Sequence, residues 1–302
     1  MIDPRLRSLQ LVAWHGTVTS AAAALHYTPS AVSAQLKSLS AEIGIEVIER
    51  HGRVVRLTAT GALLVKQADE LSARWEQMHA ELMTASNRWP VSLRLAGFST
   101  AASTLLPGVA TAVERSHPGT EVRIIEADPV ECFDSLLAGT VDLAVVVATE
   151  ALPRFDDPRF EQRPLVADPL DLLVPTGHRF AGLKSVPLAA TAREPWIMDH
   201  PGRPSHQLVL TSCLAAGFNP RQAHEAVEWD TGAALVHAGL GVCLVPRLAR
   251  LPWGYDIVRV PLEGDPSPSR QIRTGIRAGS GSSPLLATAQ SALTHLSPAS
   301  VS

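Results

Sequence analysis

The sequence is poor in cysteine and has no long hydrophobic run. Its cysteines lie far apart in apolar surroundings, so we expect buried free thiols at Cys132, Cys213 and Cys243 rather than a disulfide framework or a zinc site. The longest apolar stretches, such as 143–148, fall far short of the ~20 residues that a transmembrane helix needs. Residues 1–5 show no signal-peptide features. These absences predict a cytoplasmic protein that does not contact a membrane.

The motifs that identify common enzymes are also missing. The sequence has no nucleophile elbow and no glycine-rich phosphate loop with a lysine. Its eleven histidines are scattered and form no cluster with cysteine or aspartate at metal-ligand spacing. We therefore expect a protein that is not an enzyme and that needs neither a cofactor nor a metal.

Charge is distributed unevenly along the chain. The 302 residues are 46% hydrophobic and 18% charged, which is typical of a folded protein of two or more domains. Residues 1–58 contain six basic and four acidic side chains, whereas residues 90–302 contain seventeen basic and twenty-one acidic ones. The basic excess at the start of the chain is small, but it predicts an anionic partner for that part.

Three short helices are predicted at the start of the chain, because a capping residue precedes apolar positions at helical spacing three times in succession. Asp3 opens the first helix, Thr19 the second and Thr28 the third, and Gly44 ends the third. Two strands about a tight turn follow, at 47–50 and 53–57. This order of elements predicts a winged helix-turn-helix.

The third helix would be the recognition helix of this motif. Its inward stripe consists of Val32, Leu36 and Leu39. A helix that enters the DNA major groove, about 12 Å wide, needs short or flexible hydrogen-bonding side chains on its outer face, and Ser30, Ser33 and Lys37 meet that need. Arg53 and Arg56 of the hairpin would lie near phosphates. Many small bundles share the three-helix pattern and a polar face can be merely solvated, but the hairpin and the following helix make the prediction specific.

A long helix is predicted from Thr58 to about residue 88, and its apolar residues follow a heptad repeat. The seam consists of Leu64, Ala68, Leu71, Trp75, Met78, Leu82 and Ala85. Pairing with a second copy of the helix would bury this stripe, so homodimerisation is the simplest prediction. The alternative is that the seam packs against the chain's own domains.

From Pro90 onward strands and helices alternate, which predicts an α/β fold with parallel strands. The first α/β unit would contain strands at 92–98, 121–126 and 141–148 and helices at 103–116 and 130–137. The second would contain strands at 170–174, 196–199, 225–229 and 242–245 and helices at 205–216 and 231–238. The tail adds a strand at 272–277 and a helix at 284–296.

Ligands of open α/β sheets bind beyond the carboxyl ends of the strands, where helix N-termini present free amides. The residues at such places are Ser99, Thr100 and Asp128 in the first unit and His200, Arg203 and Thr231 in the second. We expect them to line a cleft between the units that binds a small polar metabolite. A carboxylate suits the hydroxyls and Arg203, and Asp128 favours a zwitterion such as an amino acid. Equally, the threonines and Asp128 could be helix caps, and His200 and Arg203 solvated loop residues.

Several strings in the sequence resemble one family. In the N-terminal part they are residues 16–22 (GTVTSAA), 25–39 (LHYTPSAVSAQLKSL) and 57–61 (LTATG). Further along they include residues 139–144 (GTVDLA) and 238–246 (AGLGVCLVP). The chain resembles the LysR-type transcriptional regulators, and the resemblance extends over its whole length.

The resemblance implies a ligand-responsive transcription factor with three parts. These would be a winged helix-turn-helix (1–58), a dimerising linker helix (59–89) and an effector-binding domain (90–302) of two subdomains like those of periplasmic binding proteins. Subdomain one would span about 90–164 and 268–302, and subdomain two about 165–267. The implied partners are operator DNA, a small-molecule effector and a second copy of the chain, with assembly into homotetramers. RNA polymerase is a further partner that the resemblance allows.

The recognition helix departs from the family's usual pattern. Pro29 and Ala34 stand where the family often has glutamine and arginine, and Ser40 replaces a common glutamate. Base reading would then rest on Thr28, together with the outward residues of the helix already named. The alternative hypothesis is a solute-binding protein that does not bind DNA, because residues 90–302 taken alone would resemble one.

Overall fold

The computed structural model describes residues 2–51, 54–86, 92–264 and 267–296. The chain forms two compact units, the first of residues 1–165 and 273–302 and the second of residues 166–272. No helix within the described ranges is long and apolar enough to cross a membrane.

The first unit begins with helices and a hairpin: α1 (Pro4–His15), α2 (Val18–Ala24), α3 (Pro29–Ile43), β1 (Ile48–His51), β2 (Val54–Leu57) and α4 (Ala59–Ser86). Its α/β part follows: β3 (Ser92–Gly97), α5 (Ser99–Thr104), α6 (Leu106–Ser116), β4 (Glu121–Glu126), α7 (Pro129–Ala138) and β5 (Leu143–Val147).

The chain enters the second unit within β6 (Phe160–Pro175). That unit continues with β7 (Val186–Pro187), a 3-10 turn (Leu188–Thr191), β8 (Pro195–Met198), α8 (Pro204–Ala215), β9 (Arg221–Glu225), α9 (Trp229–His237), β10 (Cys243–Pro246) and β11 (Ile257–Glu263). The chain returns to the first unit within β12 (Ser269–Arg277) and ends in α10 (Pro284–Leu296).

Side-chain caps determine where the first helices begin. The side chains of Asp3 and Thr28 accept backbone hydrogen bonds from the first turns of α1 and α3, as predicted. The prediction for α2 was wrong, because Thr17 rather than Thr19 is its N-cap. Gly16 ends α1 in the left-handed conformation and Thr17 then turns extended, so the next helix begins two residues earlier than predicted.

The three helices share one apolar core with the α/β part of the first unit. Its completely buried members include Leu9, Leu11, Ala21, Ala22, Val32 and Leu36. Ala138, the last residue of α7, belongs to the same core. Trp14 of α1 donates a hydrogen bond from Nε1 to Asp134 of α7 over 3.0 Å, and the Arg159 guanidinium lies 4.6 Å from the Trp14 ring centroid. The helix-turn-helix is therefore docked on the α/β part of its own unit.

The α/β part of the first unit contains parallel strands. β3 pairs with β4 on one side and β5 on the other, and β12 lies next to β5. The helix predicted at 103–116 is instead two helices, α5 and α6, separated at Leu105. Pro107 lies in the first turn of α6, where its missing N–H needs no partner, and a proline there interrupts a continuous helix.

In the second unit, β6 pairs antiparallel with β10 and β11, β11 pairs in parallel with β7, and β8 pairs in parallel with β9. The strand predicted at 170–174 is part of the longer β6. The strand predicted at 225–229 was wrong, because Glu225 is the end of β9 and Trp229 begins α9. Glu225 stands opposite Met198, where β8 ends, so a longer β9 would have no strand to pair with.

An arginine binds α4 to the α/β part of the first unit. Arg277 of β12 contacts Glu76 of α4 through Nε (2.7 Å) and Asp142 through a terminal nitrogen (3.0 Å). The side chain of Arg94 of β3 donates two hydrogen bonds to the same Asp142 carboxylate, of 2.8 and 3.0 Å. Burial alone would raise the pKa of Asp142, but Arg94 and Arg277 hold it below its usual value.

The backbone of α4 also lies directly against the turn after β12. Gly279 has a φ of +82°, and a Cβ built on it would lie 2.0 Å from the carbonyl oxygen of Ala73. Only glycine combines this backbone conformation with such a close approach. The Glu161 carboxylate accepts a hydrogen bond from the Gly279 N–H over 2.9 Å, which holds the turn in place.

Candidate functional site

The recognition helix α3 is held by its apolar stripe. Val32 and Leu36 are completely buried and Leu39 nearly so, as the sequence predicts. Gln35, on the same helix, accepts a hydrogen bond from the hydroxyl of Ser8 on α1. Because the inner face is fixed at these points, the outer face of α3 is presented to solvent in one orientation.

The outer face of α3 carries the polar residues that we predict to contact DNA. Thr28, Ser30 and Lys37 are exposed, and Ser33 is half-buried. The hydroxyl of Thr28 accepts the backbone hydrogen bond of Ala31 over 3.2 Å and lies 2.9 Å from the Ser30 hydroxyl. Thr28 is therefore both the N-cap of α3 and an exposed residue at the N-terminal end of that helix.

The hairpin follows α3 as an antiparallel pair, with Ile48 opposite Leu57 and Glu49 opposite Arg56. Arg56 is exposed on β2, where it is available to a phosphate. Arg53, the other predicted phosphate contact, lies outside the described residues.

The heptad seam of α4 has two environments. Its first residues face the chain's own core: Leu64 packs against the helix-turn-helix cluster and Ala68 is buried. Next to Ala68, the Asp69 carboxylate accepts a hydrogen bond from Gln10 of α1. This is the packing that the sequence left open as the alternative to dimerisation.

The later seam residues are accessible in the single chain. Leu71 is 52% exposed and Leu82 is 56% exposed, and Met78 and Ala85 are exposed as well. Trp75 is half-buried and stacks on His79 at a centroid distance of 6.5 Å. An apolar stripe of this kind remains in water unless something covers it.

Within the first unit, Ser99 and Thr100 form the first turn of α5, at the carboxyl end of β3. Ser99 is exposed, whereas Thr100 is 3% exposed and its hydroxyl has no hydrogen-bond partner among the described residues. A buried polar atom without a partner is costly, so it calls for an explanation such as a functional role or a bound water or ion. Asp128 is the exposed N-cap of α7, where its backbone N–H donates to the Glu131 carboxylate.

Within the second unit, polar side chains gather around Asp199, directly after β8. The nearly buried Asp199 carboxylate accepts hydrogen bonds from the Arg203 guanidinium (3.0 Å) and from the Ser205 hydroxyl. His200 binds Glu225 through Nδ1 over 2.6 Å. Thr231 is exposed in the first turn of α9.

Asp199 and Ser205 were not among the predicted site residues. The sequence pattern places Asp199 at the end of a strand and Ser205 at the start of a helix, and nothing local in the sequence brings them together. The position of Asp199 after a strand at the carboxyl edge was the one available signal. Since Arg203 is already paired with Asp199, its charge is not free for an effector in the way that the sequence suggested.

All three cysteines are buried free thiols, as predicted. Burial raises the pKa of Cys132, Cys213 and Cys243 to about 12 in each case. At neutral pH these side chains are protonated and therefore weak nucleophiles.

Comparison with known proteins identifies the family. The model described as "Bacterial regulatory helix-turn-helix protein, lysR family" matches residues 4–62, and the model described as "LysR substrate binding domain" matches residues 87–296. The chain belongs to the LysR family. The predicted resemblance and fold class are confirmed, and the chain is a LysR-type DNA-binding transcriptional regulator with an effector-binding domain.

The matched relatives are regulators of similar length. The chain is 28% identical over 280 residues to the "DNA-binding transcriptional dual regulator OxyR" of Escherichia coli K12, covering 91% of this chain and 89% of the relative. It is 27% identical over 253 residues to the regulator CysB of Haemophilus influenzae, covering 83% and 77%. These relatives are transcriptional regulators rather than enzymes.

Solved structures show the same fold in other LysR regulators. Full-length OxyR C199D from Pseudomonas aeruginosa matches with a TM-score of 0.63 at 23% identity, covering 97% of this chain and 94% of that one. HinK from the same species matches with a TM-score of 0.60 at 24% identity, covering 97% of each chain. The matched helix-turn-helix counts against the alternative hypothesis of a solute-binding protein without DNA-binding activity.

Proposed function

We propose that this LysR regulator binds operator DNA as a homodimer through the outer face of α3 and the hairpin, and that a small carboxylate-bearing effector modulates the binding. The observation that carries the DNA-binding assignment is the pairing of a fixed inner face of α3 with an exposed polar outer face. A recognition helix requires this combination, because its register in the groove depends on a rigid inner face.

The proposed division of labour assigns base reading to α3 and phosphate binding to the hairpin. Thr28, Ser30, Ser33 and Lys37 would hydrogen-bond to base edges or the backbone beside them, and Arg56 would pair with a phosphate. Arg53 is proposed for the same role from its position in the sequence. RNA polymerase and a tetrameric assembly stay predictions of the family resemblance.

For the effector, the proposal rests on Thr100. Its buried hydroxyl has no partner within the part of the chain that the structure describes, and it lies in the first turn of α5, where backbone N–H groups are free and favour a negative charge. Ser99 offers a second, exposed hydroxyl at the same place. This set favours the carboxylate of an organic acid or an amino acid as the group that binds there.

The second unit offers its own polar residues, His200, Arg203 and Thr231, which the proposal assigns to the rest of the effector. The ion pair with Asp199 leaves Arg203 with less unbalanced charge than a bare guanidinium. An amino acid, which carries both charges, is therefore a better match to this group than a dicarboxylate. The exposed Asp128 favours the same choice.

Thiol oxidation is a weaker candidate for the signal. Several relatives are described as hydrogen peroxide-inducible genes activators. In this chain, however, each thiol is buried with a pKa near 12, whereas a peroxide-reactive cysteine needs an accessible thiolate. The chemistry of these three residues favours a bound effector over an oxidised cysteine.

DNA binding is tested by gel shift on the DNA upstream of the protein's own gene. Ser33→Ala should weaken binding to the cognate site by about 1–3 kcal/mol and binding to random DNA little, because the hydroxyl reads a base. Arg56→Ala should weaken both and reduce the salt slope by about one, because it removes a phosphate contact. Lys184→Ala, an exposed cation of the second unit, is the control. Equal losses on both DNAs for both variants would contradict the assignment.

The dimer is tested at the exposed part of the seam. Leu71→Glu should convert the dimer to monomers in sedimentation velocity and abolish operator binding, because two carboxylates would face each other across the two-fold axis in a desolvated position. Leu214→Glu on α8 is the matched control, since Leu214 is 55% exposed and Leu71 is 52% exposed. A Leu71→Glu protein that sediments as the wild-type dimer does would rule out this seam.

The effector site is tested by calorimetric titration of amino acids and organic acids. Thr100→Val should weaken the binding of the effector about tenfold, because it removes a hydroxyl that the carboxylate would use. Arg203→Ala should also weaken it, and Thr111→Val on α6, an exposed threonine, should not. If a ligand binds to the wild type and neither Thr100→Val nor Arg203→Ala changes its affinity, the assigned residues are wrong.

A further inference from the structure

A cavity of about 370 Å³ lies within the first unit, between α1, α4 and the α/β part. Arg7 of α1 lines it, α4 contributes Trp75 and His79, and the α/β part contributes Arg94 and Arg277. The walls therefore come from all three parts that the sequence divides into a DNA-binding domain, a linker helix and an effector-binding domain. None of the residues proposed for the effector lines this cavity.

The charges around this cavity do not balance. Among the described residues that line it are three guanidinium groups and two carboxylates, those of Glu76 and Asp142. Arg94 is paired with Asp142, and Arg277 bridges Asp142 and Glu76. These contacts use both carboxylates and leave Arg7 as the surplus cation.

Arg7 forms no ion pair with a carboxylate among the described residues, and Glu76, whose negative charge reaches it, is already paired with Arg277. It donates one hydrogen bond, from a terminal nitrogen to the carbonyl oxygen of Ala138 over 3.0 Å. Its guanidinium lies flat against Gly139, where a Cβ would be 2.7 Å from the nearest guanidinium nitrogen. Burial and the neighbouring charge of Arg277 lower the pKa of Arg7. A half-buried cation of this kind is stabilised by an anion.

We propose that this cavity binds a small oxyanion, held by Arg7 together with the cavity-facing sides of Arg94 and Arg277. Guanidinium groups bind carboxylate and phosphate oxygens through paired hydrogen bonds, and the exposed His79 adds a further donor. The hydroxyls of Ser92 and Ser283 line the same space and can donate to further anion oxygens.

Anion binding here would hold the helix-turn-helix and α4 against the α/β part. Because the cavity exists only while α1, α4 and β12 are together, a ligand that fills it stabilises that arrangement by mass action. This consequence is independent of the effector proposed above, and it gives the regulator a second small-molecule input through a different site.

The test is calorimetric titration of the full chain with inorganic phosphate and with citrate, against chloride at constant ionic strength. Arg7→Gln should weaken the binding about tenfold or more, because it removes the uncompensated cation. Glu76→Gln should tighten it by about tenfold, because it removes a competing negative charge and keeps the side-chain shape. Arg115→Gln, an exposed arginine of α6, should leave the affinity unchanged.

The two titrants distinguish the two kinds of oxyanion, since a phosphate-specific site binds inorganic phosphate alone and a carboxylate site binds citrate. Circular dichroism establishes that each variant is folded, and the opposite directions expected for Arg7→Gln and Glu76→Gln separate a binding effect from a loss of structure. Failure of both titrants to bind would overturn the proposal. So would binding that is weakened by Lys37→Ala or Thr100→Val and not by Arg7→Gln, because the anion would then occupy the DNA surface or the effector site.

Discussion

The arrangement of the first unit depends on Arg277. This one side chain contacts Glu76 of α4 and Asp142 beside β5, and it donates to the carbonyl oxygens of Leu136 and Val141. Both ends of the Glu76–Arg277 pair are largely buried, at 17% and 16% exposed, so removing either partner leaves a desolvated charge. The position of α4 against the α/β part of this unit is therefore the one in which Glu76 and Arg277 neutralise each other.

From this constraint the rest of the unit follows. With α4 held by Glu76, its first heptad residues lie in the helix-turn-helix core, and the later ones face solvent except for the half-buried Trp75. The helix-turn-helix in turn packs on α7 through Ala138 and the Trp14–Asp134 hydrogen bond. The proposed DNA-binding surface of α3 is thus part of the same packed unit as half of the effector-binding domain, which would give a ligand a physical route to that surface.

The sequence predicts those features that depend on neighbouring residues. The caps at Asp3 and Thr28 and the buried stripe of α3 are local, and they are confirmed. The break between α5 and α6 was missed because apolar periodicity continues through Leu105, although Pro107 was the available signal. The contact of Glu76 with Arg277 joins residues 201 positions apart, and the lack of a partner for the Thr100 hydroxyl among the described residues depends on what surrounds it. Neither can be predicted from periodicity, because both are consequences of tertiary packing.

The docked arrangement is tested most directly by a double-mutant cycle on Glu76→Gln and Arg277→Gln, with the free energy of unfolding measured in urea. If α4 is held as described, the two substitutions are coupled by about 1–3 kcal/mol, because each leaves the same buried ion pair incomplete. Coupling below about 0.5 kcal/mol would mean that the two side chains do not share an environment in solution, and the packing of α4 against the α/β part would then be wrong.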